Sequence, residues 1–187
     1  MFYHTSIMEH LWAPWRMAYI EPQTSQPQVC IFCTLPAEHR DAENYILYRG
    51  ALCFMMLNRY PYNNGHLMIA PYQHVASIEK LDAATLAELM ADAQLALRAL
   101  RQVMNPDGFN MGINEGKVAG AGFADHVHLH VVPRWNGDTS FMPVLADTKV
   151  LPELLSSVYE KLKQALDTLT GGVTASGADA AGLSNSS

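Results

Sequence analysis

The chain has few cysteines, few charged side chains and no long apolar run, and each shortage excludes a class of protein. Three cysteines among 187 residues do not make a disulfide framework. Charged residues make up only 16% of the chain, which argues against a disordered chain or a coiled coil. No apolar stretch approaches the roughly 20 residues of a membrane span, which argues against a transmembrane protein. Lysine and arginine (12) are outnumbered by aspartate and glutamate (18), and a net charge of −6 argues against binding nucleic acid through bulk positive charge. We therefore expect a soluble, cytoplasmic protein with one packed domain and neither a membrane nor a nucleic acid as partner.

Composition divides the chain into three parts. Residues 1–28 combine the aromatic segment Leu11–Ile20 with a Pro- and Gln-rich linker, and we interpret them as an arm. Its Trp12–Trp15 segment either buries its rings against the sheet or a partner subunit, or closes over a ligand. Residues 29–170 hold the patterned segments of a domain. Residues 171–187 have no periodicity and few large apolar side chains, which is typical of a disordered tail.

Local patterns predict an α+β fold. Five short segments have the composition of strands: Tyr45–Arg49, Leu52–Asn58, Gly65–Tyr72, Phe109–Asn114 and Val127–Pro133. Apolar residues at helical spacing predict a long helix over Ala83–Met104, which begins after an Asp82 N-cap and ends at Asn105-Pro106. A C-terminal helix is predicted from about Leu151 to Leu169. Short connections favour an antiparallel sheet of about five strands with the long helix packed on one face.

The sharpest feature is the segment His126-Val127-His128-Leu129-His130. Successive side chains of a strand point to opposite faces, so the three imidazoles would share one face while Val127 and Leu129 enter the core. A neutral imidazole nitrogen is a competent nucleophile near pH 7, and a phosphorus centre is a natural target. A polar strand face or a three-histidine metal site would give the same pattern, although adjacent alternating imidazoles rarely converge on one ion.

Two further patterns are candidates for binding: a glycine-rich stretch just before the histidines and a cysteine pair much earlier in the chain. Gly116–Gly122 (GKVAGAG) predicts a flexible loop whose backbone amides would cradle phosphate oxygens. Cys30 and Cys33 form a CxxC turn, which favours half of a metal site about as much as it favours two structural cysteines. A thioredoxin-like redox pair is disfavoured because no βαβ pattern surrounds the turn. Cys53 lies in an apolar strand and is expected in the core.

With these residues in view, the sequence resembles the histidine triad (HIT) family. The segment 126–132 (HVHLHVV) is similar to the family motif His-φ-His-φ-His-φ-φ, where φ is apolar, and 57–71 (LNRYPYNNGHLMIAP) is similar to its second signature. The resemblance covers about residues 30–135. Leu11–Ile20 and Pro133–Trp135 further resemble a bacterial branch of diadenosine tetraphosphate phosphorylases.

The resemblance implies roles for particular residues. His128 would attack the α-phosphorus and form a nucleotidyl-imidazole intermediate, and His130 would hydrogen-bond the phosphate or the bridging oxygen. The remaining triad residue, His126, is a candidate both for the catalytic group and for a metal ligand. The other candidates for contacts with the substrate or the triad are Leu57, Asn58, His66 and Asn114, of which Asn58 and Leu57 would lie along the ribose and adenine and His66 would support the triad.

The sequence departs from the family pattern at Gly122, where many members carry Gln, Ser or Thr as a donor to the phosphate. We expect the backbone amides of Gly120, Ala121 and Gly122 to replace that donor. Some relatives complete a zinc site with a histidine after the signature proline and the first triad histidine, which here are His74 and His126. The resemblance therefore implies one structural Zn²⁺ held by Cys30, Cys33, His74 and His126, and no organic cofactor.

The implied function is nucleotidyl transfer on dinucleoside polyphosphates, with phosphate as the second nucleophile and diadenosine tetraphosphate giving ATP and ADP. Hydrolysis of diadenosine polyphosphates or nucleoside phosphoramidates remains an alternative, because it differs only in that water attacks the intermediate. A nucleotide-binding module without turnover is a second alternative, which an intact His128 opposes. Family members commonly pair two subunits into one continuous sheet, so the resemblance also implies a homodimer.

Overall fold

The computed structural model describes residues 29–138 and 153–171, and five strands in these ranges form one antiparallel sheet. The strands are β1 (Ile46–Arg49), β2 (Cys53–Leu57), β3 (Leu67–Pro71), β4 (Gly108–Ile113) and β5 (Leu129–Arg134), in the spatial order β1-β2-β3-β5-β4. The helices are α1 (Ile31–Ala37), α2 (Asp41–Asn44), α3 (Ala83–Met104) and α4 (Leu155–Gly171), with 3₁₀ turns at Ile78–Lys80 and Lys117–Ala119. The predicted α+β fold of about five strands, a long packing helix and a C-terminal helix is confirmed.

Some predictions concern residues beyond those the structure describes. The arm and linker over 1–28 lie outside the described residues, and so does the predicted tail except for Gly171, which is the last residue of α4. Within the described ranges, no helix is both long and apolar enough to cross a membrane.

The long helix α3 has the predicted boundaries because both ends carry a specific stop. The Asp82 side chain accepts a hydrogen bond from the backbone N–H of Thr85 at 2.7 Å, which satisfies one of the free donors of the first turn. At the other end Asn105 adopts the left-handed conformation (φ 45°) just before Pro106, which cannot continue the helix. The helix packs its apolar stripe, including Leu89, Ala96 and Leu100, onto one face of the sheet.

Alternation along the strands divides their side chains between two apolar clusters. On the α3 side, Cys53, Met55 and Leu57 of β2 are buried with residues of α3 and α4, and the prediction of a core position for Cys53 is confirmed. On the other side Phe54 and Met56 of β2 pack with Phe32 of α1. The sheet is therefore covered on both faces within the described residues.

Helix α1 was not predicted, because the sequence was interpreted there as a turn. Its seven residues include Pro36, which removes a backbone donor and hides the helical pattern. What stabilises α1 is the burial of Phe32, 1% exposed, against β2 and β3. The consequence for the site is that α1 brings Cys30, Phe32 and Cys33 to the face of the sheet opposite α3.

Candidate active site and metal centre

The three imidazoles of the 126–130 segment lie on one face, as the alternation predicts, although the strand begins later than expected. β5 starts at Leu129, and the backbone N–H of Val127 instead bonds to the carbonyl of Val75 at 2.7 Å. The Phe32 ring lies 5.2 Å from the ring of His126 and 4.5 Å from that of His128, while the His128 and His130 rings are 4.7 Å apart. Leu129 and Val131 enter the cluster under α3.

His128 is held as a neutral imidazole with one free lone pair. Its Nδ1 lies 2.8 Å from the carbonyl oxygen of His126, so the proton of the neutral ring is placed on Nδ1, which donates. His128 is only 4% exposed, and this burial lowers its pKa and so disfavours the imidazolium form. Nε2 of His128 is then an unprotonated nitrogen, which is the form that acts as a nucleophile.

The hydrogen-bond partners of His130 favour the tautomer opposite to that of His128. The backbone N–H of Tyr62 donates to Nδ1 of His66 at 3.0 Å, so the proton of a neutral His66 is on Nε2. That Nε2 lies 2.9 Å from Nδ1 of His130, which must then accept. A neutral His130 consequently carries its proton on Nε2 and presents a donor. His66 is fully buried under the ring of Tyr62, 4.7 Å away and stacked.

Two cysteines and two histidines form a cluster beside this pair. Cys30 Sγ lies 3.3 Å from Nδ1 of His126, and Cys33 Sγ lies 3.2 Å from Nδ1 of His74 and 3.6 Å from that of His126. The two Nδ1 atoms are 3.2 Å apart, and all four donor atoms lie within 4.8 Å of one another. Tetrahedral zinc with its usual bond lengths separates such donors by roughly 3.3–3.8 Å. The four separations of 3.2, 3.2, 3.3 and 3.6 Å lie close to this range, so the donor set could hold a zinc ion.

His126 offers the cluster an unprotonated nitrogen. Its Nε2 lies 2.9 Å from the carbonyl oxygen of Pro71 and donates to it, which leaves the lone pair on Nδ1 facing the sulfurs. Burial lowers the pKa of His126, and the nearby His74 and His128 lower it further. The structure therefore brings the four predicted ligands together, and they can hold a metal ion.

The glycine-rich loop is less open to an anion than its composition indicates. The N–H of Gly120 donates to the carbonyl of Lys117 at 3.0 Å, and that of Ala121 donates to Gly116 at 3.3 Å. Two of the three amides that were expected to cradle phosphate are thus committed to the turn, and only the amide of Gly122 remains a candidate. The sequence could not show this, because the turn depends on the positive φ angles of Gly116 (79°) and Gly120 (86°).

The structure places the remaining predicted contact residues in different parts of the domain. Asn58 lies at the site, with its Nδ2 3.3 Å from Nδ1 of His66. Asn114 is half-buried directly after β4, whose last residue, Ile113, pairs with Leu129. Leu57 is not at the site, since its side chain is fully buried under α3 on the opposite face. The apolar neighbour that sequence reasoning missed is Phe32, whose only signal is its position between two cysteines.

Comparison with known proteins agrees with this geometry. The sequence model of the HIT domain matches residues 39–137. An AP-4-A phosphorylase of Mycobacterium tuberculosis is 42% identical over 155 residues, which cover 79% of this chain and 79% of the relative.

Solved structures share the architecture. A Zn-bound histidine triad family protein of Mycobacterium smegmatis superposes with a TM-score of 0.62 at 31% identity, covering 77% of this chain and 97% of that chain. A hypothetical histidine triad nucleotide-binding protein of Sulfolobus tokodaii gives a TM-score of 0.61 at 26% identity, covering 80% and 97%.

Proposed function

Because the chain belongs to the histidine triad (HIT) family, we propose that it transfers a nucleotidyl group from dinucleoside polyphosphates and phosphorolyses diadenosine tetraphosphate to ATP and ADP. The observation that carries the proposal is the pair of contacts made by Nδ1 of His128 (2.8 Å to the His126 carbonyl) and Nδ1 of His130 (2.9 Å to His66 Nε2). From these contacts follow a lone pair on His128 Nε2 and a hydrogen-bond donor on His130 Nε2. A nucleophile and a hydrogen-bond donor are thus adjacent, with their rings 4.7 Å apart.

The proposed reaction has two displacements at one phosphorus. Nε2 of His128 attacks the α-phosphorus, an N–P bond forms, and the bond from that phosphorus to the bridging oxygen breaks. ATP leaves, and Nε2–H of His130 donates a hydrogen bond to its departing oxygen, which stabilises the negative charge that develops there. An oxygen of inorganic phosphate then attacks the adenylyl group, the N–P bond breaks, and ADP leaves with His128 neutral again.

The choice of phosphate over water is supported by the relative that is named an AP-4-A phosphorylase and is 42% identical to this chain. Phosphate is an anion, so its approach to a phosphorylated centre requires fixed donors. We assign this task to Asn114, Lys117 and the amide of Gly122. We propose that Asn58 binds the ribose of the transferred nucleotide, because it lies beside His66 at the edge of the histidine pair.

We propose that the cluster binds one structural Zn²⁺ through Cys30, Cys33, His74 and His126. Four protein ligands close the coordination shell, so the ion would stabilise the fold and would not bind substrate. The ligand thiols must be reduced, which supports the proposed cytoplasmic location. Elemental analysis should give about one zinc per chain, with loss of the ion on Cys30→Ser.

The function is tested by chromatography of the products of diadenosine tetraphosphate over a titration of inorganic phosphate. We expect ATP and ADP in equal amounts, with a rate that rises with phosphate and saturates. The matched control is His39→Ala, which removes an exposed histidine remote in sequence from the triad. Formation of AMP at a rate indifferent to phosphate, with no ADP, would identify a hydrolase instead.

A further inference from the structure

His126 takes part in two sets of contacts at the same time. Its ring is held at both ends, by the Cys30 and Cys33 sulfurs and His74 at Nδ1 and by the Pro71 carbonyl at Nε2. Its backbone carbonyl accepts the hydrogen bond from Nδ1 of His128 at 2.8 Å. One residue therefore connects the metal ligands with the group that fixes the nucleophile.

A second connection reaches the same peptide group from the other side. The carbonyl of His126 and the N–H of Val127 belong to one planar peptide unit, so fixing one fixes the direction of the other. The Val127 N–H donates to the carbonyl of Val75 at 2.7 Å, and Val75 directly follows the ligand His74. Ligands on both chain segments thus hold the plane whose oxygen faces His128.

A third connection runs through α1. Phe32 lies between the ligands Cys30 and Cys33, and its ring contacts the rings of both His126 (5.2 Å) and His128 (4.5 Å). Anchoring both cysteines therefore also fixes the aromatic wall against which the His128 ring packs.

From these three connections we propose that the occupied cluster selects the Nδ1–H tautomer of His128, with His126 and His74 as positioning residues for the nucleophile. This inference rests on the proposed function in one respect, namely that His128 acts as the nucleophile. An imidazole without a fixed acceptor at Nδ1 populates both tautomers, and in the Nε2–H form the nitrogen that faces the substrate has no lone pair. Loss of the ion should consequently impair the chemical step more than it impairs the binding of substrate.

The test compares zinc-loaded protein, the same protein after chelation, and a His74→Ala variant, all labelled with ¹⁵N-histidine. Long-range ¹H–¹⁵N spectra at neutral pH identify the tautomer of each ring, and kcat and KM are measured with diadenosine tetraphosphate and phosphate. We expect one tautomer of His128 in the loaded protein and a mixture in the other two. Their kcat should fall about 10- to 100-fold, as for loss of residues that orient a reactive group, with KM changed far less, and added zinc should restore the chelated protein alone.

The matched control is Cys53→Ala, which removes the buried third cysteine from β2 and should leave the zinc content, the tautomer and kcat as they are. A folded, zinc-free protein with an unchanged His128 tautomer and kcat would overturn the proposal. Unfolding of both the chelated protein and His74→Ala would also overturn it, because the cluster would then serve the whole fold. Absence of turnover in the loaded wild type would contradict the proposed function, while the tautomer spectra would still decide this inference.

Discussion

At the scale of single residues, the three histidines of the triad have the same side chain and differ in their hydrogen-bond partners. The His126 carbonyl accepts a hydrogen bond from Nδ1–H of His128, whereas Nε2–H of His66 donates one to Nδ1 of His130. The Pro71 carbonyl accepts a hydrogen bond from Nε2–H of His126, which leaves the Nδ1 lone pair of that ring facing the thiols. The partners therefore separate the three rings into a candidate nucleophile, a candidate donor and a candidate ligand.

Replacing His128 with Ala should reduce phosphorolysis by several orders of magnitude, because no other group then lies at the position of the nucleophile. The circular dichroism spectrum should stay that of the wild type, since the larger apolar cluster under α3 keeps all of its residues. Rates are measured at saturating phosphate beside His39→Ala. Activity of His128→Ala within a factor of a few of the wild type would contradict the assignment.

Asp92 on α3 is a second residue whose surroundings change its chemistry. It is 5% exposed, and among the described residues its Oδ2 is a buried oxygen without a hydrogen-bond partner. Burial, and then the charge of Glu88, raise the pKa of this carboxyl from 3.8 to about 6. The folded state therefore holds a proton that the unfolded state releases between these two values.

The free energy of unfolding should consequently fall as the pH rises through the window from about 4 to about 6. The loss attributable to Asp92 is about 3 kcal/mol at pH 7, and Asp92→Asn should remove this dependence. Urea denaturation at several pH values measures the free energy of unfolding. The two proteins are compared by the slope of this free energy against pH and not by its absolute value, because the introduced amide is itself a buried polar group. The control is Asp125→Asn at an exposed position, which should keep the wild-type slope. Equal slopes for the wild type and Asp92→Asn would contradict this prediction.

At the scale of elements, local signals account for α3 and not for α1. The N-cap at Asp82, the apolar stripe and the stop at Asn105-Pro106 all lie within the helix or next to it, and the predicted boundaries are confirmed. By contrast α1 has seven residues and depends on where Phe32 is buried. The start of β5 was predicted at Val127 and lies at Leu129, because Val127 bonds to Val75 from a distant loop.

The turn before β3 contains a glycine that lies close to α3, and replacing it tests whether contact with α3 fixes this turn. Gly65 has φ 72°, and a Cβ there would lie 2.6 Å from Sδ of Met104 and 3.1 Å from Cδ2 of Leu100. Gly65→Ala should destabilise the protein by about 1–3 kcal/mol, since it adds a clash with α3 to the backbone strain.

The matched variant is Gly116→Ala, where φ is 79° and no atom lies within 4 Å of the new Cβ. It should cost only the backbone strain, about 1–2 kcal/mol. Both are measured by urea denaturation. A Gly65 variant no less stable than the Gly116 variant would show that contact with α3 does not fix this turn.

At the scale of the whole molecule, β4 ends the sheet within the described residues and leaves one of its edges unpaired there. Met111 on this strand is 40% exposed, and an edge strand with an apolar side chain favours pairing with another chain. We therefore propose that the homodimer implied by the family resemblance forms along β4.

Met111→Lys should convert the dimer to a monomer, because a charge would then be buried at the centre of the interface. Sedimentation equilibrium over a range of concentrations measures the change. The control is Met90→Lys on α3, where the methionine is 53% exposed and away from this edge. A monomeric wild type, or a Met111→Lys protein as dimeric as the wild type, would contradict the proposal.

Features that depend on neighbours along the chain can be predicted from the residues alone. The alternation of 126–130 predicted the common face of the imidazoles, and the cap and stop residues predicted α3. Motif spacing also predicted that His74 and His126 would meet Cys30 and Cys33, through the resemblance to a family whose members place ligands there. These signals are local or carried by motifs, so they can be recognised before any tertiary contact is known.

What each of these residues can do depends on contacts that form only when the chain folds. Leu57 and Met56 are adjacent in sequence, yet alternation puts Leu57 under α3 and Met56 on the face of Phe32, and only packing shows which face holds the site. The tautomers of His126 and His130 are set by Pro71 and by His66, 55 and 64 residues away in sequence. Proton positions follow from partners that folding brings together, and no local pattern of residues encodes such partners.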